Sequence, residues 1–170
     1  MTLTDLAHAV LNGVIGHWPL GDPDLPDLLE LPARRYVTIG TSPIQDCEQL
    51  VVSVERTFGT EGNPALERIV NITSGVPWLR TAVITVQIIR CISTVDAGPG
   101  GTPIIPRADV MDSEGSVVLA DADATLRALI ESHNAGELGG CGEIALENWR
   151  ALGDQGGFHG GTSRLRLNLF

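Results

Sequence analysis

Few side chains of this sequence have the chemistry for catalysis or metal binding. They are the cysteines Cys47, Cys91 and Cys141, the histidines His8, His17, His133 and His159, and the aspartates Asp121 and Asp123. The cysteines and histidines lie far apart in the chain, without the short spacing of zinc ligands. A histidine without a nearby partner is usually structural or solvated. We therefore predict no metal site and no cofactor.

The odd cysteine count predicts a chain kept in a reducing compartment, because three thiols cannot all pair within it. Cys47 and Cys91 fall in segments that predict strands, where a cysteine behaves as a small buried hydrophobe. A thiol nucleophile needs a partner that lowers its pKa, and the sequence indicates none.

Asp121 and Asp123 are the remaining candidates, since paired carboxylates serve as general acid and base. Alternate positions on a helix do not face one another, and acidic residues near a helix start complement its dipole. We interpret both as structural. Gly139, Gly140 and Gly142 follow a predicted helix and precede a strand, so they end the helix rather than cradle a phosphate.

All 11 basic residues are arginines, so the chain has no lysine. This absence excludes Schiff-base chemistry, a pyridoxal phosphate site and a Walker-A phosphate loop. No G-x-S-x-G nucleophile elbow occurs either. With 21 acidic residues the net charge is −10, the wrong sign for binding nucleic-acid phosphates. The composition indicates neither an enzyme nor a tight DNA-binding protein.

The N-terminal part of the chain predicts one helix and one connector. Residues 4–16 place Leu6, Val10 and Val14 at helical spacing. Residues 21–32 carry three prolines and four acidic groups, which predicts an extended acidic connector. No basic residue precedes Arg34, and no apolar run reaches the ~20 residues of a membrane span. We expect a soluble chain that stays inside the cell.

Three segments then alternate with the period of a strand: residues 35–40, 47–58 and 78–92. In the second, Leu50, Val52, Val54 and Phe58 share one face, and Gln49, Ser53, Glu55 and Thr57 share the other. In the third, Ala82, Ile84, Val86 and Ile88 oppose Thr81, Thr85 and Gln87. The pattern predicts a sheet with one buried face and one wet face.

A second helix is predicted over residues 117–133, with Gly136 ending it. Its inward positions are Val118, Ala122, Leu126, Leu129 and His133. Two strands follow, residues 144–152 and 164–169. The order of elements predicts an α+β domain with a mostly antiparallel sheet covered on one face by helices. We expect a single domain over residues 1–170, with residues 1–34 as helix and connector and residues 35–170 as sheet, covering helix and C-terminal hairpin.

Two predicted loops are long or unusual. The first, residues 59–77, is a candidate contact loop because compact domains seldom keep a connection of that length without a use for it. The second, residues 153–161, places Phe158 and His159 between glycine pairs, where an aromatic side chain can be held out from the surface. A flexible hairpin loop and an assembly contact both remain open for this segment.

Four segments, taken in order, resemble the tail terminator proteins of long-tailed bacteriophages, especially phages of actinobacteria. They are RYVTIGTSPIQDCEQLVVSVERTFGT, WLRTAVITVQIIRC, ADADATLRALI and IALENWRALGDQGGFHGGTSRLRLNLF. The likeness lies in three features. They are the order of elements, the pair of strands that each have one buried face and one wet face, and the C-terminal strand, glycine-rich loop and strand. It covers most of the chain and includes no catalytic signature.

The resemblance implies a virion structural protein at the junction of tail and head, assembled in the host cytoplasm. Such a protein forms a ring of six subunits that caps the tail tube and joins it to the head. Its implied partners are further copies of itself, the major tail tube protein and the head connector or stopper protein. DNA passes through the ring without specific binding, and a wall of carboxylates suits that role because it repels phosphates.

Under the resemblance, the exposed loops and the last strand would make the assembly contacts. The candidate contact residues are Glu61, Asn63, Glu67, Arg68, Phe158, His159, Leu165, Leu167 and Leu169. Two alternatives stay open. One is another head-to-tail connector protein, such as a head-closure or stopper subunit, and the other is a small-molecule-binding or enzymatic domain that uses Cys47, Cys91 or a histidine.

Overall fold

The computed structural model describes residues 2–23, 25, 29–40, 48–60, 79–93, 95–97, 99–139, 141–152 and 157–169. The helices are α1 (Leu3–Gly16) and α2 (Ala108–Asn134). The strands are β1 (Arg34–Ile39), β2 (Gln49–Thr60), β3 (Leu79–Cys91), β4 (Asp96–Ala97), β5 (Pro103–Ile104), β6 (Ile144–Leu146), β7 (Arg150–Leu152) and β8 (Phe158–Leu169). A short 3₁₀ turn, Pro99–Gly101, separates β4 from β5.

Six of the strands form one sheet in the order β1, β2, β3, β8 and β6, with β7 also paired to β8. The β1–β2 pair is parallel, and the other pairs of this sheet are antiparallel. Strands β4 and β5 form a separate two-stranded sheet. The predicted α+β class with a mostly antiparallel sheet is confirmed.

Helix α1 begins with a capping box that lies two residues before the predicted start. The Thr2 hydroxyl accepts a hydrogen bond from the Asp5 amide, and the Asp5 carboxylate accepts one from the Thr2 amide. These contacts satisfy amides that the first helical turn leaves without partners. Leu6, Val10 and Val14 are fully buried, as the spacing predicts.

One hydrophobic core joins both helices to the same face of three strands. It includes Leu6, Val10 and Val14 of α1, Ala120, Ala124 and Leu129 of α2, Leu50, Val52 and Val54 of β2, Ala82, Ile84, Val86 and Ile88 of β3, and Leu165 and Leu167 of β8. Helix α1 contacts β1, β2 and β3, whereas α2 contacts α1 and β8.

The predicted wet face is wrong for the centre of the sheet, because its polar residues are buried as well. Gln49 and Ser53 of β2 and Thr81 of β3 are almost fully buried. Hydrogen bonds within this face satisfy some of these buried polar side chains. Thr81 donates to the Asn168 side chain at 2.8 Å, and Thr85 donates to the carboxylate of Glu55.

Phe58 lies on the face of the sheet opposite to the predicted one, because β2 contains a β-bulge. The pairing with β3 shifts between Val54 and Arg56, so Val54 lies opposite Ile84 but Phe58 lies opposite Thr81. One extra residue changes which side of the strand each later side chain faces. Phe58 therefore lies on the face opposite Leu50, and the guanidinium of Arg56 lies 5.9 Å from its ring centroid.

Helix α2 starts nine residues before the predicted Val117, at Ala108. Its first turns carry Asp, Ser, Glu and Gly and are largely exposed, so they lack the apolar period that marks a helix. The predicted stop is confirmed at Gly136, whose φ of 73° suits a glycine. There the Glu137 amide donates to the Ser132 carbonyl at 3.1 Å, which closes the last turn.

The C-terminal strands differ from the predicted pair. The segment 144–152 is split into β6 and β7, and β8 begins at Phe158 rather than Arg164. Two of the glycines that predict a loop belong to β8: a Cβ at Gly161 would overlap the Trp149 indole, and one at Gly160 would overlap the Ile88 carbonyl oxygen. These glycines permit close packing within a strand.

Candidate assembly surfaces

The candidate contact residues of the loop 59–77 lie outside the part of the chain that the structure describes. They are Glu61, Asn63, Glu67 and Arg68. Phe158 and His159 are half-buried at the start of β8, opposite Cys91 and Arg90 of β3. They are held in a sheet and not in the flexible loop that the glycines predict.

The last strand is largely committed to the subunit's own core. Leu165 and Leu167 are both 0% exposed and belong to the hydrophobic core. Alternation alone does not say whether an apolar face meets the subunit's own helices or a neighbour, so the contact role of these two residues stays a prediction. Leu169 is half-buried and packs against the same core.

The cysteines also differ from expectation. Cys91 is exposed at the end of β3 and is disulfide-bonded, so it is neither a buried hydrophobe nor a free nucleophile. Cys47, which shares the prediction of a buried hydrophobe, lies outside the described residues. Cys141 is free and half-buried, and burial raises the pKa of its thiol. A raised pKa lowers the thiolate fraction and makes Cys141 a poor nucleophile.

The histidines form no common site within the described part of the chain. His17, just after α1, makes a hydrogen bond to Glu137 at 2.9 Å and lies 3.5 Å from Glu131, so it joins the C-terminal ends of the two helices. His8 and His133 are exposed. Among the described residues, no group of three or more His, Cys, Asp or Glu side chains is arranged to hold a metal ion.

Helix α2 exposes apolar residues along one side. The predicted inward positions did not distinguish these exposed residues from the buried ones. Val118 and Leu129 are buried as expected, but Leu126 and His133 are exposed. Leu119 is 72% exposed, and Met111, Leu126 and Ile130 are also exposed. Leu119, Leu126 and Ile130 repeat at helical spacing and therefore line one stripe of the helix surface. The spacing is visible in the sequence, but the burial is not.

This stripe borders a groove of about 440 Å³ between α2 and β6, here called the α2 groove. Its lining comprises Leu119, Ala122, Asp123 and Leu126 of α2, Leu146 of β6, Glu147, Asn148 and Trp149 of the segment between β6 and β7, and Ser163 of β8. Among these described residues are two carboxylates and no basic side chain. A contiguous exposed apolar surface with a polar rim is typical of a protein contact site.

A second exposed apolar surface lies before α2, in the segment that carries β4 and β5. Val95, Ile104 and Ile105 are more than half exposed there, and Ile105 is 68% exposed. Prolines 103 and 106 flank the two isoleucines, and proline restricts the backbone on either side. We call residues 103–106 the isoleucine protrusion. Arg107 follows it, with its side chain 82% exposed.

A polar groove of about 530 Å³ lies on the face of the sheet opposite the hydrophobic core. Arg164 contacts Glu55 at 3.1 Å and Glu147 at 3.5 Å, and Arg166 contacts Glu147 at 2.7 Å. These pairs tie β2, β8 and the segment after β6 together. Ser53 and Gln87 also line the groove and are more than nine-tenths buried.

The structure contains a buried ion pair that local sequence patterns do not indicate. Asp121, interpreted as an acidic residue near a helix start, lies in the middle of α2 and is 0% exposed. It accepts two hydrogen bonds from Arg90 of β3. One signal could have found the pair: Arg90 shares the inward parity of Ile84 and Ile88, so the end of an apolar strand face carries a charge that needs a partner.

No protein-family model matches the chain, and no curated protein matches it significantly. No helix among the described residues is long and apolar enough to span a membrane.

Proposed function

We propose that this chain is a tail terminator of a long-tailed bacteriophage, a virion structural protein that caps the tail tube and joins it to the head connector. The observation that carries the proposal is the presence of two separate exposed apolar surfaces on one acidic subunit, the α2 stripe and the isoleucine protrusion. A subunit that contacts its neighbours through two different surfaces assembles head to tail and closes into a ring when the rotation permits.

The proposal also holds that the ring forms part of the conduit for DNA, and the charge of the chain supports this role. A net charge of −10 without lysine repels DNA phosphates, whereas clustered basic residues would retain the DNA by counterion release. The resemblance of the four sequence segments to tail terminators points to the same role, with a ring of six as the implied assembly. The major tail tube protein and the head connector are the proposed partners.

The test is the location of the protein in the virion. Immunogold labelling of purified tails is expected to mark the end that joins the head. Label at the opposite tip, or only on tailless heads, would refute the terminator; label on tailless heads would favour another connector subunit. The genes flanking this one give an independent test, since head-connector and tail-tube genes on either side are expected.

A small-molecule-binding domain is the second candidate function, and the polar groove favours it. The polar side chains of Ser53 and Gln87 lie beside a cavity large enough for a small ligand. A ligand that binds only the folded state must raise its thermal stability. A metabolite screen by thermal unfolding tests this function, with Gln87→Leu as the variant that loses the response and Arg80→Gln as an exposed control on the same strand.

A further inference from the structure

We infer that the polar groove binds a small hydroxylated carboxylic acid, of the sugar-acid class, whose carboxylate is held by Arg150 of β7. The inference rests on the second candidate function, the small-molecule-binding domain, and names the chemical class of its ligand. Three observations carry it. They are a row of hydrogen-bond donors across three strands, an arginine in that row without an ion-pair partner, and a second row where carboxylate oxygens can accept from hydroxyl groups.

The floor of the groove consists of polar side chains in the middle of the sheet. Ser53, Thr85 and Gln87 line it and are at least nine-tenths buried. Among the described lining residues, only Trp149 and Leu152 are apolar. Polar groups at the floor of a cavity keep their hydrogen bonds with a polar ligand and lose them to an apolar one. The volume of about 530 Å³ is large enough for a monosaccharide.

One row of hydrogen-bond donors crosses three strands at the groove. Gln87 of β3 lies opposite Thr162 of β8, and Thr162 lies opposite Arg150 of β7. Residues paired in this way share one face of the sheet, and neighbouring strands lie about 4.8 Å apart. The Gln87 amide, the Thr162 hydroxyl and the Arg150 guanidinium can all donate hydrogen bonds. The row therefore offers adjacent donors to one oxyanion.

Arg150 is the cation that the carboxylates of the groove leave unpaired. Arg164 contacts Glu55 at 3.1 Å and Glu147 at 3.5 Å, and Arg166 contacts Glu147 at 2.7 Å. Arg150 is exposed and makes no ion pair with any described residue. Three arginines against two glutamates leave one positive charge at the groove, although the chain as a whole carries −10. A guanidinium binds a carboxylate through two parallel hydrogen bonds, and a single negative charge completes the balance.

The next row of the sheet supplies acceptors for hydroxyl groups. Thr85 of β3 lies opposite Arg164 of β8, two residues along the strands from the first row, which is about 7 Å. Arg164 holds the carboxylates of Glu55 and Glu147 there. A carboxylate has about four acceptor sites, more than these contacts occupy. A ligand that places a carboxylate at Arg150 and hydroxyl groups at the two glutamates spans both rows.

The test measures binding of D-glucuronate to the full chain by isothermal titration calorimetry. Arg150→Gln should weaken binding at least about tenfold, because it removes charge-assisted hydrogen bonds. Arg150→Lys, which keeps the charge without the planar fork, should bind with intermediate affinity. The matched control is Arg80→Gln, an exposed arginine on β3 that does not line the groove, which should bind like the wild type. All three positions substituted are on the surface, so the unfolding temperature should not change.

The methyl ester of D-glucuronic acid is the matched control ligand, since it keeps the hydroxyl groups and loses the charge. It should bind the wild type at least about tenfold more weakly than glucuronate and should not distinguish Arg150→Gln from the wild type. In NMR spectra, glucuronate should shift the amide resonances of Thr162 and Arg150 and leave that of Leu126 unchanged. Equal affinity for acid and ester, or no binding of glucuronate, galacturonate or gluconate at millimolar concentration, would overturn the inference.

The metabolite screen separates this inference from the candidate function on which it rests. A neutral compound that stabilises the wild type and Arg150→Gln equally, but not Gln87→Leu, would overturn the acid as ligand and leave the small-molecule-binding domain standing. No stabilisation by any compound, charged or neutral, would overturn both. Neither result bears on where the protein lies in the virion, which immunogold labelling decides.

Discussion

The guanidinium of Arg90, near the end of β3, holds the carboxylate of Asp121, in the middle of α2, by two parallel hydrogen bonds. The Nε–Oδ2 distance is 2.9 Å and the NH2–Oδ1 distance is 2.6 Å. Arg90 also donates to Glu48 at 3.0 Å and to the Glu30 carbonyl at 2.8 Å. This fork joins the sheet, the long helix and the segment before β1, and a planar guanidinium is suited to it.

Removing one partner of this pair should destabilise the protein strongly. Asp121→Asn leaves a buried guanidinium with Glu48 as its remaining charged partner among the described residues, and Arg90→Met leaves a buried carboxylate. We expect each to lower the free energy of unfolding by about 3 kcal/mol. The double variant Arg90→Met/Asp121→Leu, which buries no unpaired charge, should lie within about 1 kcal/mol of the wild type. Urea denaturation measures all three, and equal losses in the double and single variants would contradict this account.

The Arg90→Met variant should also respond to pH. Burial raises the pKa of Asp121, and Arg90 opposes that rise, so its removal raises the pKa further. A carboxyl whose folded pKa exceeds its unfolded value destabilises the folded state above that pKa, and the penalty fades as the pH falls through it. The stability deficit of Arg90→Met relative to the wild type should therefore shrink between about pH 7 and pH 4. The deficit of Asp121→Asn, which lacks the titrating group, should show no such recovery.

Gly13 should tolerate no side chain, because α1 and α2 touch there. A Cβ at Gly13 would overlap Ser132 Oγ and lie 2.8 Å from Ser132 Cβ. We expect Gly13→Ala to lower the free energy of unfolding by about 1–3 kcal/mol, despite the better helix propensity of alanine. Gly115→Ala in α2, with open space around the new Cβ, should instead raise it by up to about 1 kcal/mol. Thermal unfolding compares the two, and combining Gly13→Ala with Ser132→Gly should recover part of the loss.

Alanine substitutions at Leu167 and Leu119 should differ in their effect on the free energy of unfolding, because Leu167 lies in the core and Leu119 on the surface. Leu167→Ala is expected to cost about 2–5 kcal/mol, because it opens a cavity beside Ala82 of the core. Leu119→Ala should change the unfolding free energy of the monomer by less than about 0.5 kcal/mol. The measurement is chemical denaturation at a concentration where the chain is monomeric. A small effect at Leu167 would mean that β8 is not packed as described.

The thiol of Cys141 should react slowly with alkylating reagents. Its pKa is raised by burial, so less thiolate is present at any given pH, and the half-buried sulfur is hard to reach. Iodoacetamide should modify Cys141 in the folded protein more slowly than in the urea-unfolded protein, and the rate should keep rising into the alkaline range. Peptide mass spectrometry at Cys141 follows the reaction. Equal rates in the folded and unfolded protein would contradict its burial.

Local sequence patterns determined much of the secondary structure and the fold class of this protein. The period of α1, the alternation of β3 and the glycine after α2 were predictable, because each depends on neighbours within a few residues. The α+β class followed from the order of those elements. The absence of lysine and the net charge likewise constrain function, because both depend on composition alone.

Tertiary structure decided what local patterns leave open. Whether an apolar residue faces the core or the solvent depends on which element packs there, so Leu167 is buried while Leu126 lines an exposed stripe. The bulge after Val54 changes the face of Phe58, because register is set by pairing with β3. Arg90 and Asp121 are 31 residues apart and meet only when β3 and α2 pack together. No local period encodes such a contact, since its energy depends on groups brought together by the fold.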